Sequence, residues 1–171
     1  MGKKSIKEDK NRYFQSRENA GLTRAEASER MDYMTESKIT NIELEKPRVY
    51  PDDVVAMATA YNDALLCNYY CKHECAIGRE HVPEVKEAPL ANISLEILAS
   101  INNLAKQQER LIEITSDGNI SEDEYKDFIT IKKRLEELAT AVSALKLWVN
   151  KAKISETIDA AIYDSISQSE E

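Results

Sequence analysis

The sequence is poor in the residues that interrupt helices and in those that carry most enzyme chemistry. Among 171 residues there are only four glycines and four prolines. None of the eight breaks a periodic apolar pattern, so they read as punctuation between helices. Stretches in which β-branched and polar residues alternate are missing, which argues against a sheet. No run of about 18 apolar residues occurs, so no membrane span is expected. The basic start, Met1-Gly2-Lys3-Lys4-Ser5-Ile6, has no apolar stretch behind it. A secretory signal is therefore not expected, and the expected address is the cytoplasm. Ile6 stands where a myristoylation signal needs Ser or Thr. With two histidines, no glycine-rich phosphate loop and no nucleophile motif, no catalytic constellation forms. An enzyme is not expected, and neither a cofactor nor a small-molecule substrate is implied.

What the chain does have is charge and helical periodicity. Charged residues make up 32% and hydrophobic ones 42%, an ordinary balance for a globular protein. The net charge of -8 is unevenly spread: residues 1–50 hold eleven basic and nine acidic side chains, and the remainder twelve and twenty-two. A nucleic-acid surface, if the protein has one, belongs in the first half.

The first half reads as a set of short helices. A first, from about Ile6 to Ala20, has Tyr13 and Phe14 as core candidates and stops at Gly21, suited to a left-handed residue. Thr23 and Glu26 form a capping box for a second, about Arg24 to Met31. Thr35 caps a third, anchored by Ile39 and Ile42, with Met34 just ahead of the cap. Pro51 leads a fourth, which offers Val54, Val55, Met57, Ala58 and Tyr61 to the core. Two short helices joined by a tight turn within such a bundle can present one of them to the major groove.

Leu22-Thr23-Arg24-Ala25-Glu26-Ala27-Ser28, then Thr35-Glu36-Ser37-Lys38-Ile39-Thr40-Asn41-Ile42-Glu43, then Lys46-Pro47-Arg48, resembles the Cro/repressor-type helix-turn-helix family over roughly residues 6–66. The resemblance implies a five-helix, lambda-repressor-like domain over residues 1–79, with Thr35–Glu43 as recognition helix. By this resemblance Glu36 and Ser37 face base edges, as does Asn41, and asparagine can pair bidentately with adenine. Lys38 and Thr40 flank that face. Arg24, Thr35, Lys46 and Arg48 are placed for phosphates. Glu43 matches a structural glutamate of the family. The turn Asp32-Tyr33-Met34 departs from the pattern in lacking glycine. Glu36 departs too, because a carboxylate repels phosphates and can accept only from cytosine N4.

All three cysteines, Cys67, Cys71 and Cys75, fall at spacings of four, along one face of an expected fifth helix that ends before Gly78. With His73 they could make a tetrahedral zinc site or a redox cluster. Against this, no Cys-x-x-Cys knuckle is present and His73 points off the stripe of a regular helix. The cysteines are therefore read as small packing residues.

Residues 80–90, with Pro83 and Pro89, read as a linker. Ile93, Ile97, Ile101, Leu104, Leu111 and Ile114 then recur at helical spacing, interrupted by Gln108, up to Ser116. The box Ser121-Glu122-Asp123-Glu124 starts a long helix whose Phe128, Ile131, Leu135, Leu138, Val142, Leu145 and Val149 step by three and four, a heptad seam. A short terminal helix carries Ile154, Ile158, Ile162 and Ile166. Glu113–Glu124 fits part of a calcium loop, but Glu113 and Thr115 are poor first and third ligands, and a capped turn explains the rest. Residues 91–171 thus read as a helical hairpin for oligomerisation or partner binding. The seam suits a homodimer, with an intramolecular three-helix bundle as the other arrangement. The expected function is a sequence-specific regulator of bacterial or phage type that binds double-stranded DNA as a dimer. The alternative is an adaptor or antirepressor that keeps the fold without binding DNA.

Overall fold

The computed structural model describes residues 10–46 and 48–169. Among them every regular element is helical, and the chain divides into two compact units, residues 1–82 and 83–171.

In the first unit α1 runs Arg12–Asn19. Of the Ile6 start expected for it, residues 6–9 lie outside the described residues, and Lys10 and Asn11 are not helical. Asn11 caps it instead: its Oδ1 accepts from Phe14 N at 3.0 Å, while its Nδ2 donates to the Ile42 carbonyl at 2.8 Å. Gly21 takes the left-handed conformation (φ 70°) that ends the helix. The Thr23–Glu26 box caps α2 (Arg24–Glu29) reciprocally. α3 (Glu36–Glu43) and α4 (Pro51–Ala60) start where Thr35 and Pro51 mark them. Met34, Ile39, Val54, Met57 and Leu66 fill the core. Val55 does not join it; one position round from Val54, it points outward and is 57% exposed.

The cysteine segment departs from expectation. α5 (Leu65–His73) carries Cys67 and Cys71, but Cys75 lies beyond its end, as the cap of a further helix, α6 (Ala76–His81). Gly78 is therefore no stop signal. A Cβ there would stand 2.2 Å from the Cys71 carbonyl oxygen, so α6 crosses α5 at a distance only glycine allows.

In the second unit residues 83–89 form no helix, yet Val85 is buried, packed in one cluster with Ile93 and Ala144. The segment read as a linker is thus a strap on the hairpin. α7 (Leu90–Ala105) and α8 (Gln108–Thr115) replace the single helix expected up to Ser116. The break at Lys106-Gln107 has a packing reason. A continuous helix would set Ile114 to one side of the Ile93–Ile97–Leu104 stripe, whereas here Ile114 is fully buried.

Gly118 (φ 76°) makes the turn, where Asp117 accepts from Asn119 N, and Glu124 accepts from Ser121 N and Oγ just ahead of α9 (Tyr125–Ile154). Arg110 pairs with Asp127 at one end and Lys151 with Glu87 at the other, so α9 runs antiparallel to the arm before it. The seam divides: Ile131 is buried, while Leu135 and Val142 are 46% and 37% exposed. Ala141, Ala144 and Ala152 supply the rest of the inner face, letting the helices approach closely. α10 (Ala160–Ser169) buries nothing, and Ile162 and Ile166 are exposed. Among the described residues no helix is long and apolar enough to cross a membrane.

Candidate nucleic-acid interface

α3 owes its placement to residues beneath and behind it. Ile39 and Ile42 are 0% and 2% exposed and fix its inner face. Ser28 Oγ donates to the Met34 carbonyl at 2.7 Å and, with buried Met31 and Met34, sets the turn between α2 and α3 without a glycine. Glu43, at the helix end, is buried and accepts from Arg17 at 2.5 and 3.2 Å and from Arg24 Nε at 2.8 Å. Arg17 also donates to the Leu22 carbonyl. Its two carboxylate oxygens are thereby shared between two guanidiniums, the compensation a buried charge needs.

On the outer side Thr35, Glu36, Ser37 and Asn41 are exposed, while Lys38 and Thr40 are half-buried. Thr35 Oγ accepts from Lys38 N, which leaves one lone pair and its proton outward. Thr40 Oγ is committed to the Glu36 carbonyl at 2.8 Å. Lys38 Nζ donates to the buried carboxylate of Asp53 at 2.6 Å and sits over the Tyr33 ring. Arg24 is held by Glu43 and stacked toward Phe14. Lys46 and Arg48 are exposed and make no ion pair with a described residue. Of the basic side chains expected around this helix, Lys46 and Arg48 make no ion pair among the described residues, while Lys38 and Arg24 each pair with a carboxylate.

Thr35, Ser37, Lys38, Asn41 and Arg48 line one cavity of about 350 Å³ along α3. Glu36, Thr40, Lys46 and Arg24 lie outside its lining. The cavity's further wall is Tyr50, 65% exposed, which sequence reasoning missed. Its position just before Pro51, where a helix cap exposes its side chain beside the basic loop, was the available signal. The site is mildly electropositive at Arg48 and acidic at Glu36. It can offer an amide, hydroxyls, an aromatic face and a guanidinium to one partner.

No family matches this chain. Neither the curated proteins nor the solved structures contain a match to it.

Cys67, Cys71 and Cys75 are free and half-buried, and burial pushes the Cys67 thiol upward, away from a reactive thiolate. Cys75 Sγ accepts from Gly78 N at 3.4 Å as the α6 cap. His73 stacks on Tyr69 with ring centroids 4.7 Å apart. Among the described residues no group of three His, Cys, Asp or Glu side chains converges to hold a metal ion.

Proposed function

We propose that the chain is a cytoplasmic, sequence-specific DNA-binding regulator of bacterial or phage type, with a lambda-repressor-like first unit that lays α3 in the major groove. The observation that carries this reading is the two-sidedness of α3. Two isoleucines anchor it below, while Ser37 and Asn41 face outward beside Lys46 and Arg48, which make no ion pair among the described residues. Asn41 reads a base edge and Arg48 and Lys46 hold phosphates. A homodimer through the exposed part of the α9 seam would pair two such helices on half-sites one turn apart.

Fluorescence anisotropy against DNA selected from a random pool tests it. Asn41→Ala with Arg48→Ala is expected to weaken binding at least tenfold, and affinity is to fall with salt. Binding that ignores both substitutions removes the proposal. The alternative, an adaptor or antirepressor of the same fold, is favoured by one observation: Lys38 and Arg24 already have carboxylate partners in Asp53 and Glu43. That reading expects no salt-dependent DNA binding at all.

A further inference from the structure

The strap over the hairpin shows what this surface can hold. Val85 is buried against Ile93 and Ala144, where the strap crosses α7 and α9. From that crossing a groove of about 570 Å³ continues along the two helices. Its floor is made of small side chains, Ala99 and Ser100 from α7 and Ala141 and Ala144 from α9. Its rims carry the carboxylates of Glu96 and Glu137, with Glu84 and Lys86 on the side of the strap. Glu137 also meets Arg134, in an exposed pair that holds it only weakly.

The groove runs from Glu96 to Asn103 on α7. The seven helical steps between them rise about 10 Å, which is the length of roughly three steps of extended chain. The small floor has room for aliphatic side chains of valine size, as Val85 demonstrates at its end. The acidic rims select positive charge on the alternate side chains, which point the other way in an extended strand.

We infer that the α7/α9 groove docks an extended segment of a partner protein in which valine-like residues alternate with lysine or arginine, continuing the path of the strap. The occupant lies end to end with residues 84–88, its apolar side chains on Ala99 and Ala141 and its cations on Glu96 and Glu137. The inference is independent of DNA binding, since every residue it uses belongs to the second unit.

The test uses the full chain and three labelled, end-capped pentapeptides followed by fluorescence anisotropy: Arg-Val-Lys-Val-Arg, Arg-Gly-Lys-Gly-Arg and Glu-Val-Glu-Val-Glu. The first is expected to bind and the other two to bind at least tenfold more weakly. Glu96→Gln with Glu137→Gln is expected to reduce binding of the first about three- to tenfold, an effect that added salt mimics. Ala99→Phe fills the floor from an exposed helix position and is expected to abolish binding with the circular dichroism unchanged. No binding of the first peptide, equal binding of the glycine peptide, or indifference to Ala99→Phe in a folded protein would each overturn the inference.

Discussion

Tyr61 shows how one buried side chain makes stability depend on pH. It is 4% exposed, its hydroxyl has no hydrogen-bond partner among the described residues, and burial first, then the charge of Glu43, push its pKa up to about 12. In the unfolded chain it titrates near 10, so between about pH 10 and 12 the folded state holds a proton the unfolded state has released. Stability is therefore fully present below pH 10 and declines as pH rises toward 12, by roughly 2–3 kcal/mol from this group. Denaturant titrations at pH 8 and 11.5 measure it. Tyr61→Phe should flatten the difference by about that amount, and an unchanged alkaline limb in the variant would contradict the assignment. Gly78 makes a steric counterpart. Gly78→Ala forces a Cβ against the Cys71 carbonyl and must separate α6 from α5, with an expected cost of about 3 kcal/mol. Gly118→Ala meets no atom within 4 Å and carries only the strain of a positive φ, about 1 kcal/mol. Thermal melts of the two variants should rank in that order.

At the level of the element, what sequence could disclose depended on whether the signal was local. Thr23, Thr35, Pro51 and Gly21 act on backbone groups within a few residues of themselves, and each marks its helix boundary in the structure. The ends of α4 and α9 escaped, because Asn62 and Glu156 adopt positive φ (54° and 57°) without being glycine. Asn62 is of a type that tolerates this region but Glu156 is not, so residue type could not mark both ends. The break between α7 and α8 shows in sequence only as an interruption of the stripe at Gln108, while the burial of Ile114 that goes with it is a matter of packing. Gly78 misled because a glycine reads alike as a stop or as a point of close approach. At the candidate site, the outward set of α3 followed from its two inner isoleucines. The pairing of Lys38 with Asp53 and of Arg24 with Glu43 did not, since those partners lie fifteen and nineteen residues away. Sequence could rank these lysines and arginines only as cations, whereas the fold has already paired two of them with carboxylates.

At the scale of the whole molecule, the proposed dimeric regulator assigns DNA binding to the first unit and pairing to the second, and separating the two units tests that proposal. A chain ending at Val82 contains the complete core around Ile39, Met57 and Leu66, and is expected to fold alone. It should sediment as a monomer and bind DNA about 100-fold more weakly than the full chain, because a tethered second module supplies most of the avidity. Leu135 and Val142 share one flank of α9, and on α7 Leu98 and Ile101 lie on the flank turned away from the acidic groove; all four are exposed. Leu135→Glu with Val142→Glu in the full chain should therefore yield monomers that match the truncated chain in affinity while keeping their helix content. Sedimentation velocity and anisotropy on the same samples read both quantities together. If the truncated chain binds as tightly as the full one, the second unit contributes nothing to DNA affinity, and its exposed seam must be assigned to a partner other than a second copy.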